Sequence, residues 1–287
     1  MIPPQKDSSS LLFRCQKSAT ITAQLTQFFA DHQAPIQTLI QHLDEQQQLF
    51  RIEWAGDTGW TDKTNCLKDF ANTFGGINSE QSYSIRLAGT VPTVGLMCSE
   101  RTHVLDDVLH RLDSEYYPEM KVLFIISDQE AVANVADRHR VPFFHVSKAM
   151  PPEETQRRQL EIIERYSPDI LGLASYDARL SKRMIERARC LVLSVHNTLL
   201  PSVKSEKAYS MAYQKGLKLL GATAEIVQAE AIGPLVTQDV AKLWPGMSLN
   251  DIRLVGRDLE RKVFAEALRK LVEHKVMVYN AKTIVFD

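Results

Sequence analysis

The fold of this protein is decided by residues 93–126, which read TVGLMC, SERTHVLDDVLHRLDSEYYPEM and KVLFII. Two short apolar runs, Thr93–Cys98 and Val122–Ile126, flank a segment whose apolar residues recur every three or four positions from Val104 to Leu112. Such runs are typical of buried strands, and the recurrence between them is typical of an amphipathic helix. A strand, a helix and a second strand make a βαβ unit, so the sequence predicts a parallel sheet.

The same alternation continues along the chain. Further strands are predicted at Pro142–Val146, Asp169–Ala174 and Leu191–Val195, and further helices at Glu130–His139, Glu153–Tyr166 and Ser181–Ala188. After them we expect a helix over 206–215, strands at Ala222–Val227 and Leu235–Val240, a long helix opened by Ser248, and a closing hairpin over 276–286. The fold class predicted for this part is α/β, with a mostly parallel, Rossmann-like sheet.

The amino-terminal stretch has a different pattern. A strand at Leu11–Cys15 and a helix at Ile21–His32 precede a hairpin made by Ile36–Leu43 and Gln47–Trp54, which predicts a small βαββ unit. The polar run 78–84 indicates a loop, and residues 88–92 (AGTVP) indicate a linker. We therefore expect two domains, 1–87 and 88–287.

Composition excludes several classes of protein. Of the 287 residues, 34 are Lys or Arg and 35 are Asp or Glu, so no overall basic field exists to hold a nucleic acid or an anionic membrane. A signal peptide and a run of about 18 apolar residues are both lacking, which predicts a cytoplasmic protein. The four cysteines lie far apart, so neither a disulfide framework nor a zinc site is indicated.

One strand end is a candidate for chemistry. Residues 194–201 read SVHNTLLP, which places His196 at the carboxyl end of a predicted strand, where ligands of parallel sheets bind. Histidine exchanges protons near neutral pH. A buried structural histidine is the alternative interpretation.

Six ordered blocks resemble one family. They are the strand ending at His196 with Leu199-Leu200-Pro201; Ala208-Tyr209 with the run 212–216; Gly221-Ala222-Thr223-Ala224; Gly233-Pro234; Gln238-Asp239-Val240; and the run 256–261, GRDLER. Together they resemble the formyltetrahydrofolate deformylases over essentially the whole chain.

The resemblance implies an amino-terminal ACT domain followed by a formyltransferase-type domain. It further implies hydrolysis of formyltetrahydrofolate to formate and tetrahydrofolate, with a small-molecule folate as substrate, no metal and no tightly bound cofactor. Assembly into a homo-oligomer, a dimer or tetramer, is expected through the first domain. The usual turn of the ACT domain, Cys-Pro-Asp-x-x-Gly, is replaced here by residues 15–20 (CQKSAT), so amino-acid sensing at that turn is not expected.

The resemblance also assigns site residues. The family's catalytic histidine corresponds to His196. Its oxyanion-binding Asn, two residues earlier, corresponds to Ser194, and its Asp corresponds to Ala231. Glu230 and Asp177 are hypothesised to substitute for that Asp; the alternative interpretation is that both are ordinary solvated loop carboxylates. Substrate-binding positions are expected at Ser127, Tyr176, Thr198, Gly221, Thr223, Gly233 and Pro234.

Those departures set the functional alternatives. Loss of one oxyanion donor typically lowers a rate by about a hundredfold to a thousandfold, and loss of the carboxylate that orients a histidine can lower it as much. We therefore expect a deformylase whose activity is weak or is redirected to another formyl acceptor or substrate. The alternative is a catalytically degenerate protein of the same fold that binds a folate or a partner in a regulatory role; a general small-molecule hydrolase is a third interpretation.

Overall fold

The structure of the protein is a computed structural model that describes residues 8–60, 62–75, 82–200, 208–229, 232–279 and 281–287. The chain divides into two compact units. The first contains the described residues up to Val91 together with Glu273–Met277 and Ile284–Asp287, and the second contains Pro92–Val272 and Val278–Thr283. The return of the chain end to the first unit was not predicted from the sequence.

The first unit is a four-stranded antiparallel sheet with helices on one face. Its elements are β1 (Ser8–Gln16), α1 (Ile21–Asp31), β2 (Ile36–Leu43), β3 (Gln47–Ala55), α2 (Lys63–Phe74) and β4 (Ser82–Arg86). The strand order is β2-β3-β1-β4. Alternate residues of β1 and β3 point to the helices and build an aromatic core, in which Phe13, Phe50 and Trp54 pack with Phe28 and Phe70.

The prediction of a βαββ unit was incomplete, because the structure adds a second helix and a fourth strand. The helix α2 begins after Asp62, whose side chain accepts a hydrogen bond from the Asn65 amide, and buries Cys66, Phe70 and Phe74 at four-residue intervals. The polar run 78–84 was predicted to be a loop. Its last three residues instead begin β4, an edge strand whose one buried residue is Ile85.

The second unit is built on a seven-stranded sheet. Its strands are β5 (Thr93–Cys98), β6 (Lys121–Ser127), β7 (Phe143–His145), β8 (Ile170–Leu173), β9 (Leu191–His196), β10 (Leu219–Ile226) and β11 (Leu235–Lys242). The helices are α3 (His103–Asp113), α4 (Ala133–Arg138), α5 (Pro152–Tyr166), α6 (Lys182–Ala188), α7 (Ala208–Lys215) and α8 (Leu249–Val272). A closing hairpin pairs β12 (Val276–Tyr279) with β13 (Lys282–Val285).

The sheet order β11-β10-β9-β8-β5-β6-β7 confirms the prediction of a mostly parallel α/β domain. Strands β5 to β9 are parallel, whereas β10 and β11 run antiparallel to their neighbours. From β5 the chain first builds outward through β6 and β7 and then returns to place β8 on the other side of β5. The switch point, where ligands bind in such sheets, therefore lies at the carboxyl ends of β5 and β8.

Several predicted bounds shift by one to three residues. The largest difference is at the predicted helix Glu130–His139, which is a 3-10 turn over Glu130–Val132 followed by the short α4. Among the described residues, no helix combines the length and the apolar character needed to cross a membrane.

His274 ties the chain end to the sheet of the first unit. Its Nδ1 atom lies 2.8 Å from Ser10 Oγ, and its Nε2 atom lies 2.7 Å from Ser84 Oγ. Burial lowers the pKa of His274 from 6.5 to about 3, and the positive charges of Arg86, Arg51 and Lys63 act in the same direction. The folded protein therefore holds this ring in its neutral form.

We expect acid to lower the unfolding free energy of the first unit through protonation of His274. A group with a lowered folded pKa is protonated first in the unfolded chain, so its part of the unfolding free energy is complete above about pH 6.5 and is lost as the pH falls towards 3. We expect His274→Gln to reduce this slope in urea titrations followed by Trp54 and Trp60 fluorescence. The matched change His110→Gln, at an exposed position of α3, should leave the slope intact. An unaltered slope in His274→Gln would contradict this account.

Candidate active site

Polar side chains collect at the carboxyl edge of the parallel strands. Strand β9 ends at His196, β8 is followed by Tyr176 and Asp177, β5 by Ser99, and β6 ends at Ser127. Because neighbouring parallel strands end at the same edge of a sheet, these residues share one rim.

The register of β9 and β10 brings a histidine to a buried carboxylate. Thr223 is paired with His196 and Glu225 with Ser194, so the four side chains lie on one face of the sheet. Long side chains at diagonal positions of such a pair can touch. Here His196 Nε2 lies 2.7 Å from Glu225 Oε1, and the Glu225 side chain is only 5% exposed against 26% for the histidine.

The second oxygen of Glu225 is also occupied. Its Oε2 atom accepts a hydrogen bond of 2.7 Å from the backbone amide of Gly233. A Cβ atom at Gly233 would lie 1.7 Å from the carbonyl oxygen of Ile226, so only glycine permits this close approach. Pro234 follows, and its carbonyl accepts a hydrogen bond from the Ile226 amide. One carboxylate thus joins the strand end at His196 to the loop before β11.

The Thr223 side chain holds the backbone of the segment that follows His196. The Thr223 hydroxyl donates to the Thr198 carbonyl at 2.8 Å and accepts from the Leu200 amide at 3.1 Å. Gln238 of β11 donates to both the Leu200 carbonyl and the Thr223 hydroxyl. Because Thr223 is fully buried, its side chain fixes the backbone that follows His196.

Gly221 has a packing role next to this segment. A Cβ atom there would come within 2.2 Å of the Leu199 side chain, so the glycine leaves the space in which Leu199 rests on β10.

A second charged group lies at the ends of β5 and β8. Arg101 Nη2 and Asp177 Oδ1 are 2.5 Å apart, and both side chains are about 40% exposed. Burial alone would lower the pKa of Arg101, but its hydrogen bond to Asp177 and the negative charge of that residue raise it. The Ser99 hydroxyl accepts hydrogen bonds from the Asp177 amide and from Lys148, which also forms an ion pair with the buried Asp128.

Two further predicted positions lie near the carboxyl ends of β6 and β8. Ser127 is fully buried, and its hydroxyl accepts a hydrogen bond from the Gln129 amide in the turn that leads out of β6. The Tyr176 hydroxyl accepts a hydrogen bond of 2.8 Å from Gln159 of α5. Burial raises the pKa of Tyr176, so the phenol stays protonated at neutral pH.

The structure brings to His196 a carboxylate other than the two that the sequence suggested. Asp177 is paired with Arg101, and Glu230 and Ala231 lie outside the described residues. The carboxylate that reaches His196 is Glu225, which our interpretation of the sequence missed. The sequence of β10, LLGATAEI, does contain a pattern that indicates its role. The residues at 220, 222, 224 and 226 are apolar, whereas the opposite strand face carries the polar Thr223 and Glu225, as expected when that face makes polar contacts.

The cysteine thiols of the protein are not activated as nucleophiles. The four cysteines are free thiols, and burial raises the pKa of each to about 11 or 12, which keeps them protonated at neutral pH. In the described part of the chain, no three His, Cys, Asp or Glu side chains are grouped so that they could hold a metal ion. The pair of His196 and Glu225 is an arrangement suited to proton transfer at this rim.

Comparisons with known proteins agree with this architecture. The formyl transferase family model matches residues 94–268, which is more than half of the chain. The formyltetrahydrofolate deformylase of Synechocystis is 28% identical over 98% of this chain and 99% of its own length. That of Mycobacterium bovis is 30% identical over 98% of this chain and 91% of its own length.

A solved structure is similar over nearly the whole chain. The crystal structure of a formyltetrahydrofolate deformylase from Pseudomonas syringae has a TM-score of 0.92 and 27% identity, covering 98% of this chain and 94% of its own. Fold, length and sequence therefore agree, and the chain belongs to the formyl transferase family and, within it, to the formyltetrahydrofolate deformylases.

Proposed function

We propose that this protein hydrolyses formyltetrahydrofolate to formate and tetrahydrofolate. The observation that carries the proposal is the hydrogen bond of 2.7 Å between His196 Nε2 and the buried Glu225 carboxylate at the carboxyl edge of the sheet. A histidine held by a carboxylate is a general base and acid that works near neutral pH. The names of the relatives support the choice of substrate.

In the proposed reaction His196 acts twice. The Glu225 carboxylate accepts a hydrogen bond from Nε2, so Nδ1 is the ring nitrogen that can exchange protons with the reactants. Nδ1 accepts a proton from water while the water oxygen bonds to the formyl carbon, and the carbonyl oxygen becomes an oxyanion. The imidazolium then donates that proton to the folate nitrogen as the carbon–nitrogen bond breaks, which gives formate and tetrahydrofolate. No electron donor or cofactor is consumed.

Glu225 has a positioning role in this reaction. It holds the imidazole in one orientation and stabilises the imidazolium that forms after proton uptake. Its bond to the Gly233 amide fixes the carboxylate itself, so the histidine has one preferred position. A preorganised pair of this kind avoids reorganisation during the reaction.

We propose that the remaining predicted positions shape the substrate pocket. Ser194, two residues before His196 on the same strand face, is the proposed hydroxyl donor to the oxyanion. Asp177 with Arg101 offers a charged surface to polar groups of the folate, and Ser127 and Tyr176 line the same rim. The backbone around Thr198, Gly221, Thr223, Gly233 and Pro234 is proposed to set the shape of the pocket.

The proposal also assigns a role to the first unit. We propose that residues 1–87 form an ACT-like module through which the protein assembles as a dimer or tetramer. Its βαββαβ order and single-sided helical layer support this assignment. We further propose a cytoplasmic role in one-carbon metabolism, where formate and tetrahydrofolate bear on purine biosynthesis.

A degenerate, non-catalytic protein remains the second candidate, favoured by the serine at position 194 and the alanine at position 231. The hydrogen bond between His196 and Glu225 argues against it, because a carboxylate is in place for the orienting role.

Substitution of His196 distinguishes an active deformylase from a non-catalytic protein. We expect purified protein to release one formate per formyltetrahydrofolate consumed, and His196→Ala to lower kcat by about a hundredfold or more, since general acid–base catalysis typically contributes that much. Folate binding, measured by calorimetry, should change little. Formate release at an unchanged rate in His196→Ala would remove this residue from the mechanism, and folate binding without any release by the wild type would favour the non-catalytic candidate.

Two substitutions test whether Glu225 or Asp177 is the carboxylate that orients His196. Glu225→Gln keeps the size of the side chain but loses its charge, so we expect kcat to fall on the order of a hundredfold or more. Asp177→Asn should raise KM and leave kcat within about threefold, because Asp177 is proposed to contact substrate only. Steady-state formate assays of both variants decide the assignment; a large loss of kcat in Asp177→Asn with full activity in Glu225→Gln would reverse it.

A further inference from the structure

The parallel strands place Ser99 and His196 at the same level of the carboxyl edge. Strand β8 lies between β5 and β9, and its Leu173 is paired with Met97 on one side and with Ser194 on the other. Ser99 and His196 each follow these partners by two residues. Neighbouring strands are about 4.8 Å apart, so the two positions are separated by about 10 Å.

A buried carboxylate holds a lysine next to Ser99. Cys98 is paired with Ser127 of β6, which brings the next residue of the chain, Asp128, beside Ser99. The Asp128 side chain is only 4% exposed, and its Oδ2 atom lies 2.5 Å from Nζ of Lys148. The same Nζ atom donates a hydrogen bond of 3.2 Å to the Ser99 hydroxyl. Lys148 is therefore fixed at the end of β5, although its side chain remains 47% exposed.

A second cation lies on the other side of Ser99. The Ser99 hydroxyl also accepts a hydrogen bond of 3.2 Å from the amide of Asp177, in the segment that follows β8. The Asp177 carboxylate in turn forms the ion pair with Arg101. Because β6 and β8 flank β5, Ser99 has Lys148 on one side and Asp177 with Arg101 on the other.

Both cations keep donors that a ligand can use. An ammonium group carries three N–H donors, and a guanidinium group carries five. In the described part of the chain, Lys148 uses its donors for Asp128 and Ser99, and Arg101 donates from Nη2 to Asp177. Each cationic side chain is about half exposed. The remaining donors are therefore open to an anion at this edge of the sheet.

A gain in stability does not account for the buried carboxylate. Removal of Asp128 from water costs free energy that its pairing with Lys148 at most offsets, and apolar residues of the same volume are generally as stable. The arrangement does hold an ammonium group at one place on the rim. Such a fixed charge is useful where a negative group has to be recognised.

The proposed substrate has negative groups at a matching distance. In formyltetrahydrofolate, a benzoyl ring and one amide bond join the formyl-bearing nitrogen to a glutamate, which carries two carboxylates. With bonds of about 1.3–1.5 Å, this link is roughly 10 Å long when it is extended. The separation of Ser99 from His196 across two strand spacings is similar. A folate with its formyl group at His196 can thus reach Ser99 with its glutamate.

We infer that Lys148 and Arg101 form a carboxylate subsite that binds the glutamate end of the folate, with Asp128 as a positioning residue for Lys148. The inference rests on the proposed function, and it names the part of the substrate that this side of the rim recognises. Binding of the glutamate at Ser99 would hold the opposite end of the benzoyl group, and with it the formyl carbon, at His196.

Two ligands that differ only in the glutamate test the subsite. We expect calorimetry to show that the wild type binds tetrahydrofolate at least tenfold more tightly than tetrahydropteroylamide, in which an unsubstituted amide replaces the glutamate. Lys148→Met should weaken tetrahydrofolate binding about tenfold and leave binding of the amide within about twofold. Arg101→Gln should act in the same direction. Equal affinities of the wild type for the two ligands would overturn the inference.

Two further variants separate recognition from folding. Lys148→Met alone leaves Asp128 buried without its cation, which lowers stability. The double variant Asp128→Asn with Lys148→Met removes both charges, and we expect it to fold and to show the same reduced preference for tetrahydrofolate. The matched control is Lys121→Met, at the exposed amino end of β6, which should keep the wild-type preference. A wild-type preference in the double variant would exclude Lys148 from the subsite.

The subsite and the proposed hydrolysis can fail independently. Calorimetry does not depend on turnover, so a preference that requires Lys148, in a protein that releases no formate, would support the subsite and refute the hydrolysis alone. Formate release together with equal binding of the two ligands would refute the subsite and leave the hydrolysis in place. Failure of both ligands to bind the wild type would overturn both.

Discussion

The carboxylate of Glu225 is the group on which the candidate active site depends. It is almost completely removed from water, and it is satisfied by only two described partners, the His196 ring and the Gly233 amide. An uncompensated buried charge typically costs about 3–5 kcal/mol. The histidine, the strand end and the loop before β11 are therefore held in one arrangement, because moving any of them would leave the buried Glu225 carboxylate without a hydrogen-bond partner.

The fold explains how such a carboxylate reaches the histidine. Parallel strands β5 to β9 place their ends at one rim, which is enough to present His196. The antiparallel strand β10 then runs back past β9 in a register that sets Glu225 opposite Ser194. That diagonal pairing, together with the hydrogen bonds of Thr223 to the backbone of Thr198 and Leu200, fixes the strand end. A change from parallel to antiparallel pairing thus supplies the orienting group.

The sequence predicted the features that depend on local pattern. Alternating apolar runs and amphipathic segments indicated the α/β domain, and the strand ending at His196 indicated the rim that carries the candidate active site. Glu225 was missed because its contact depends on the register between β9 and β10, which no local pattern specifies. In the first unit, α2 was missed because only Cys66, Phe70 and Phe74 mark its buried face, and β4 because an edge strand needs few apolar residues.

The most direct test of the account is a crystal structure of the protein with a non-hydrolysable analogue of formyltetrahydrofolate. We predict that the formyl-bearing nitrogen lies at the carboxyl ends of β8 and β9. The formyl carbon should lie within reach of a water bound to His196 Nδ1, with Glu225 still hydrogen-bonded to Nε2. An analogue bound elsewhere, or bound at this rim with its formyl group turned away from an imidazole released by Glu225, would contradict it.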